Sequence, residues 1–173
     1  MNFVIMGIDR IGKNTFIETC LPGYKEIHLT KPPAGVDPLM YSKAEYMEYF
    51  MTLKKSDGIV YNRGHIDEFI YAPRYRHYPT YWLTIMEEEM ADEVKNTIFV
   101  LLYTTDFSFI KDDGLSLDFS RMGEEQEDFH KYFDRSKMYN KIKIQVNDGN
   151  NYRNKLDIKE EFERKVKELC SSI

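Results

Sequence analysis

The sequence predicts an α/β domain of three layers, in which a five-stranded parallel sheet lies between helices. Short apolar runs typical of strands alternate with longer stretches in which apolar residues recur at helical spacing. The stretches between the strands are long enough to form the crossover helices that parallel strands require. With 173 residues the chain is long enough for one hydrophobic core and short for two, so we expect a single domain over residues 1–173.

The individual elements follow from these patterns. The predicted strands cover residues 3–6, 25–29, 58–62, 97–103 and 141–146, of which 3–6 and 97–103 are apolar runs. The predicted helices cover residues 13–21, 38–56, 79–94 and 157–170. Residues 106–129 are polar and are interrupted by Gly114 and Gly123, which predicts a mobile lid.

The charge and hydropathy of the chain restrict its partners. A net charge of -5 argues against a sequence-independent grip on nucleic acid, which depends on clustered Lys and Arg. No apolar run approaches the roughly 20 residues of a membrane span. We therefore expect a soluble, cytoplasmic protein whose partners are small molecules, with neither nucleic acid nor membrane among them.

The loop after the first strand has the spacing of a phosphate-binding loop. Gly7 follows the strand, and Gly12 and Lys13 open the first helix. In such a loop the backbone N–H groups and the helix N-terminus surround phosphate oxygens, and the lysine neutralises the β and γ phosphates. The sequence therefore predicts that ATP binds to Gly7, Ile8, Asp9, Arg10, Ile11, Gly12, Lys13, Asn14 and Thr15.

Asn14 occupies the position at which this loop pattern has Ser or Thr. The usual hydroxyl binds the Mg²⁺ ion that accompanies the nucleotide, and an amide oxygen is a usable but bulkier ligand. We therefore predict Mg²⁺, bound together with ATP, as the cofactor, and Asn14 as its candidate protein ligand. Most of the ion's other ligands would be phosphate and water oxygens.

Three motifs in order resemble those of thymidylate kinases, especially the small deoxynucleotide kinases encoded by phages. They are "GIDRIGKNT" at 7–15, "LTKPPAG" at 29–35 and "NRGHIDEFIYAPRYR" at 62–76. The chain departs from the family at Lys31, Pro32 and Asn62, where the family has arginine, glutamate and aspartate. The resemblance spans most of residues 1–130 and implies a P-loop nucleoside monophosphate kinase.

The resemblance also implies roles for charged residues. Lys13, Arg10 and Arg63 become the candidate catalytic cations, with Arg10 on the donor's γ phosphate and Arg63 on the acceptor's phosphate. Asp9 would accept a hydrogen bond from the acceptor's 3′-hydroxyl. Transfer between two phosphorylated nucleotides needs such fixed cations because several negative charges meet. Arg74 and Arg76 add to the phosphate grip or form surface ion pairs, and Arg121 closes over the phosphate from the lid or stays solvated.

The acceptor's base has several candidate contacts. Tyr46, Phe50 and Tyr71 could stack on it, although core packing is the ordinary reason for aromatic residues at this spacing. Glu68 is a further candidate contact, whereas Asp67 is expected to cap the helix that follows or to form a salt bridge. No arginine equivalent to the family's base-reading arginine is present in residues 38–56, so the sequence does not support selectivity for thymine.

The function predicted from the sequence is transfer of the γ phosphate of ATP to a (deoxy)nucleoside monophosphate. A deoxynucleoside kinase is an alternative, but it would want a carboxylate where Thr30 and Lys31 follow the second strand. A nucleotide-binding module with little turnover is another alternative, because Asn14 and Asn62 replace two groups expected near the metal. A homodimer is left open.

Overall fold

The computed structural model describes residues 1–111 and 118–171. Its strands are β1 (Asn2–Met6), β2 (Lys25–His28), β3 (Ile59–Asn62), β4 (Thr97–Tyr103), β5 (Asn140–Gln145), β6 (Asn147–Asp148) and β7 (Asn151–Tyr152). Its α-helices are α1 (Lys13–Cys20), α2 (Pro38–Lys55), α3 (His65–Tyr71), α4 (Tyr81–Met90), α5 (Met122–Arg135) and α6 (Lys155–Ser171). A π-helical turn (Ala72–Arg76) follows α3, and a 3₁₀ turn (Phe119–Arg121) precedes α5.

The strands form a parallel sheet in the order β2-β3-β1-β4-β5, and helices flank the sheet. The predicted fold class is therefore confirmed. β1 lies in the centre, and its Ile5 is in register with Asn62 of β3 and Val100 of β4. The chain leaves β1 toward one side of the sheet for β2 and β3 and later crosses to the other side for β4. In open α/β sheets such a switch point creates a crevice at the carboxyl ends of the strands, which is where ligands bind.

The central strands β1 and β4 are buried on both faces, which explains why their sequences are continuous apolar runs. All five residues of β1 are buried, and so are the first six residues of β4. Because both faces of these strands are covered by helices, alternation of polar and apolar residues is absent. The strands and helices predicted from the sequence lie within a few residues of the observed elements.

Two helical segments were not given bounds by the sequence analysis. α3 and the π-helical turn lie within the motif at 62–76, where the sequence analysis expected only that a helix begins near Asp67. α5 occupies most of the second half of the predicted lid, because Met122, Phe129 and Phe133 are buried on one face at helical spacing. The first part of that segment includes residues 112–117, so the prediction for Gly114 lies outside the described residues.

Within residues 1–111 and 118–171, we find no helix with both the length and the apolar character needed to cross a membrane.

Candidate active site

The glycine loop lies at the carboxyl end of β1, in the crevice formed by the sheet order. Gly7 has a φ of 140°, and a Cβ atom there would lie 2.5 Å from the carbonyl oxygen of Leu102. Gly12 has a φ of 97° and is the N-cap of α1. Both positions require glycine for backbone conformation, and Gly7 requires it for space as well. The loop therefore brings the chain tightly from β1 into the N-terminus of α1.

Lys13 is the first residue of α1, and its side chain turns back into the loop. Nζ donates hydrogen bonds to the carbonyl oxygens of Gly7 at 2.7 Å and Ile8 at 2.8 Å. The residue is only 7% exposed. Burial lowers the pKa of Lys13 to about 8, although the negative charge of Asp67 opposes this shift. Lys13 is therefore a cation in a setting where an added negative charge stabilises its protonated form.

A polar cavity of about 530 Å³ opens beside the loop, and we call it the phosphate cavity. Of the nine residues predicted to bind ATP, six line it. Ile8 and Ile11 have fully buried side chains, and Gly7 lies in the turn, so these three can offer a ligand only their backbone. The phosphate cavity is lined by Asp9, Arg10, Gly12, Lys13, Asn14, Thr15, His28, Asn62, Arg63 and Tyr152.

Two arginines of the phosphate cavity are held by specific contacts. Arg63 Nη2 donates to Asp9 Oδ1 at 2.7 Å, and the backbone of Arg63 has a φ of 85°. Arg10 also has a positive φ, of 65°, and its Nη1 donates to the carbonyl oxygen of Lys111 at 2.6 Å. The structure therefore places all three predicted catalytic cations at one cavity.

The position of Asn14 connects it to two further polar residues. Asn62 Nδ2 donates to Asn14 Oδ1 at 2.8 Å and to Glu26 Oε1 at 2.8 Å. Glu26 Oε1 also lies 3.1 Å from His28 Nε2. The sequence analysis missed Glu26, although Glu26 and His28 stand two residues apart on β2 and thus on one face. The register pairs His28 with Asn62, which brings this face to the loop.

The oxygen of Asn14 is the protein atom at the loop that could hold the predicted Mg²⁺ ion. The part of the chain that the structure describes contains no group of three His, Cys, Asp or Glu side chains able to hold a metal by itself. An amide oxygen has two lone pairs, and Asn62 uses one of those on Asn14. One protein oxygen with phosphate and water ligands is an ordinary arrangement for Mg²⁺.

A second cavity of about 250 Å³ adjoins the first, and we call it the acceptor cavity. The two cavities share His28 and Arg63. Four predicted acceptor residues line it, namely Tyr46, Arg63, Glu68 and Tyr71. The remaining lining residues are His28, Leu29, Thr30, Lys31, Glu45, Asp67 and Arg76.

The aromatic and acidic residues of the acceptor cavity are fixed by the protein. Arg76 Nη1 donates to Glu68 Oε2 at 2.5 Å, and the Tyr78 hydroxyl donates to Glu68 Oε1. The Tyr71 ring lies 5.9 Å from the guanidinium carbon of Arg63. The Tyr46 hydroxyl donates to the carbonyl oxygen of Gly64 at 3.2 Å. The wall of the cavity is therefore largely organised before any ligand binds.

Three of the predicted site residues lie elsewhere. Phe50 is fully buried in the core and lines neither cavity. Arg74 points to α5, where it pairs with Asp128 and, at 3.4 Å, with Glu124. Arg121 pairs with Glu124 at 3.1 Å at the start of α5. Of the two arginines in the π-helical turn, Arg76 lines the acceptor cavity, whereas Arg74 forms ion pairs with α5.

Asp67 caps α3, as the sequence predicts. Its Oδ2 accepts a hydrogen bond from the Gly64 N–H at 2.9 Å. Burial raises the pKa of Asp67 to about 6, although Lys13 and Arg63 oppose the shift. Among the described residues, its Oδ1 and the hydroxyl of Tyr71 are buried without a hydrogen-bond partner. Unpartnered buried polar atoms are costly and mark a site that is not built for stability alone.

A third, mostly apolar cavity of about 260 Å³ lies on the other side of Gly12. It lies between α1, the β6–β7 hairpin and the start of α6, and it shares Gly12, Thr15 and Tyr152 with the phosphate cavity. The Tyr152 hydroxyl donates to the carbonyl oxygen of Arg10 at 2.6 Å. The sequence analysis missed Tyr152, because β6 and β7 have only two residues each and give no periodic signal.

The chain is similar to several solved structures, and the following one matches over nearly the whole chain. The YorR protein of Bacillus subtilis, crystallised in complex with phosphorylated GDP, matches with a TM-score of 0.69 at 15% identity, covering 96% of each chain. No protein-family model matches this chain, and no curated protein matches it significantly. At 15% identity the likeness concerns the fold, and it agrees with the α/β fold of P-loop NTPases that the sheet and the glycine loop display.

Proposed function

We propose that this protein is a kinase that transfers the γ phosphate of ATP to a (deoxy)nucleoside monophosphate. The observation that carries the proposal is the pair of adjoining polar cavities with Arg63 in the wall of both. One cavity has the glycine loop that suits a nucleoside triphosphate. The other is organised by buried charged residues and suits a second polar ligand. The complex of YorR with phosphorylated GDP supports a nucleotide as ligand of this fold.

The donor would occupy the phosphate cavity and the apolar cavity together. Loop N–H groups, the α1 N-terminus and Lys13 would bind its phosphates, with Arg10 beside them. Its base would pack in the apolar cavity against Phe16 and Tyr152. Tyr152 borders both cavities, so it stands at the junction between the base and the phosphates.

The acceptor would enter the second cavity with its phosphate on Arg63. In the structure Arg63 is held by Asp9, which positions the guanidinium at the boundary between the cavities. Lys13 and Arg63 would then stabilise the charge that develops on the transferring phosphoryl group. Mg²⁺, held by Asn14 together with phosphate and water, would supply further neutralisation of that charge.

The alternative of a binding module with little turnover has its own support. The oxygen of Asn14 already accepts a hydrogen bond from Asn62, which competes with a metal for that atom. Two observations bear on the alternative of a deoxynucleoside kinase. The residues after β2 that line the acceptor cavity, Thr30 and Lys31, provide no carboxylate. Glu45 of α2 also lines this cavity, however, and accepts hydrogen bonds from the backbone N–H and the hydroxyl of Thr30.

A coupled assay of ADP release, run with MgATP over nucleosides and nucleoside monophosphates, separates these functions. We expect turnover with at least one monophosphate and its loss in Lys13→Ala, with Lys131→Ala, an exposed lysine on α5, as the control. Circular dichroism would establish that Lys13→Ala is folded. Turnover of nucleosides alone would establish the deoxynucleoside kinase. Binding of ATP with no turnover of any acceptor would establish the binding module.

A further inference from the structure

Glu26 stands behind the phosphate cavity and is bonded to a residue of its wall. It does not line the cavity, but its Oε1 accepts a hydrogen bond from Asn62, whose other donor hydrogen reaches Asn14. The same oxygen lies 3.1 Å from His28, which lines both polar cavities. A single carboxylate on β2 therefore contacts two residues of the nucleotide site directly and a third through Asn62.

The chemistry of these groups forces their orientation. An ionised carboxylate only accepts hydrogen bonds, so Asn62 must turn its NH₂ group toward Glu26. The second hydrogen of that NH₂ group is donated to the oxygen of Asn14 at 2.8 Å. Asn14 is thereby held with its oxygen beside Asn62. Without the carboxylate, both amides could exchange the positions of their oxygen and nitrogen.

The charge of Glu26 adds a second effect. A carboxylate close to the phosphate cavity repels the phosphates of a nucleotide that comes without a cation. The same carboxylate attracts a divalent cation bound between the phosphates and Asn14. Because its side chain is 32% exposed, both effects are moderated by solvent but have opposite signs for the bare and the metal-bound nucleotide.

We propose that Glu26 is a positioning residue that makes nucleotide binding at this site depend on Mg²⁺, by orienting Asn14 through Asn62 and by disfavouring nucleotide without the ion. The inference rests on the proposed function only as far as ATP is the ligand of the phosphate cavity. It does not require that an acceptor is turned over.

The test measures ATP affinity by titration calorimetry, once with Mg²⁺ and once with a chelator. In Glu26→Gln, we expect the tightening of ATP binding by Mg²⁺ to shrink by about fivefold or more, the usual lower range for coupling between two ligands. MgATP should bind more weakly, and ATP with chelator should bind as well as before or more tightly. A merely structural role would weaken both forms equally and would overturn the proposal.

Three further variants make the test specific. Glu18→Gln, at an exposed position on α1, removes the same charge and should leave the Mg²⁺ dependence as in the wild type. Asn62→Ala removes the proposed link and should also lessen the Mg²⁺ dependence, because it leaves Asn14 without its donor. In the double variant Glu26→Gln/Asn62→Ala the loss should be smaller than the sum of the two single losses, and a fully additive loss would overturn the role of Asn62 as the link.

The outcomes separate this inference from the kinase proposal. Mg²⁺-dependent ATP binding that Glu26→Gln weakens, together with no turnover of any acceptor, would support the inference and overturn the kinase. Turnover with an unaltered Mg²⁺ dependence in Glu26→Gln would support the kinase and overturn the inference. Absence of any ATP binding by the wild type would overturn both.

Discussion

Lys13 should take up a proton when ATP binds at mildly alkaline pH. Burial lowers the pKa of this lysine to about 8 in the free protein. A phosphate group within a few ångströms favours the charged form and typically raises such a pKa by about 1 to 3 units. At pH 8 the free lysine is half protonated, whereas the lysine in the complex is almost fully protonated. Binding should therefore take up about half a proton at pH 8.

The same numbers fix the pH dependence of affinity. With a pKa of about 8, roughly nine tenths of free Lys13 is protonated at pH 7 and roughly one tenth at pH 9. The ATP phosphates are ionised over this range, since their last pKa lies near 6. Affinity should fall by up to about tenfold between pH 7 and pH 9, because the proton must be supplied from solution.

Calorimetry at pH 8 in two buffers of different ionisation enthalpy measures the proton uptake directly. A nucleoside triphosphate with a different base, such as CTP, should give the same uptake as a second ligand, because the effect belongs to the phosphate chain. Lys13→Arg is the matched variant, since a guanidinium stays charged at every accessible pH, and its uptake should be close to zero. Uptake below about 0.1 proton in the wild type, or equal uptake in Lys13→Arg, would refute the argument.

Three further predictions concern the loop, the acceptor and stability. Gly7→Ala should destabilise the fold by about 2 kcal/mol or more in denaturant unfolding, because alanine disfavours a φ of 140° and its Cβ would collide with the carbonyl oxygen of Leu102. Gly123→Ala on α5 should not destabilise the fold, because the added Cβ would meet no other atom. Arg63→Ala should raise KM for the monophosphate far more than KM for ATP, and the reverse result would assign Arg63 to the donor. Asp67→Asn should gain stability relative to the wild type as the pH rises from 4 to 7. The pKa of Asp67 is raised from 3.8 in the unfolded chain to about 6 in the folded protein, so the folded state binds this proton more tightly than the unfolded state. The wild type therefore loses stability as the pH rises from 4 to 7, by at most about 3 kcal/mol, whereas the asparagine in the variant does not titrate. A constant difference in unfolding free energy between pH 4 and pH 7 would contradict the buried titration.

The phosphate loop could be predicted because all its determinants are local. The loop is defined within residues 3–13: a buried strand leads into it, two glycines form the turn, and Lys13 supplies the cation at the positive end of the α1 dipole. The sheet was predictable for the same reason, since each strand has a local pattern: β1 and β4 are apolar runs, and β5 alternates polar and apolar residues. The strand order was not, because it depends on which side of β1 each crossover places the next strand.

The missed residues share a different property, which is that their roles depend on neighbours distant in sequence. Glu26 contacts the phosphate cavity through Asn62 and His28, and the register of β2 and β3 is what brings it next to Asn62. Tyr152 reaches Arg10 across 142 positions of the chain. α5 could have been found, since Met122, Phe129 and Phe133 have helical spacing, but the polar residues between them favour a loop when only composition is considered.

The charges of the site explain how a protein of net charge -5 can present a surface for phosphates. Three cations that line the two polar cavities are already held by acceptors of the protein: Lys13 by loop carbonyls, Arg63 by Asp9, and Arg76 by Glu68. Ligand binding is therefore an exchange of partners rather than the capture of free cations. Such an exchange favours ligands that replace several of these partners at once, because a lone anion that displaced one carboxylate would leave that carboxylate without its cation. A triphosphate that carries its own divalent ion meets this condition, since the ion can compensate the released acceptors while the phosphates satisfy the cations.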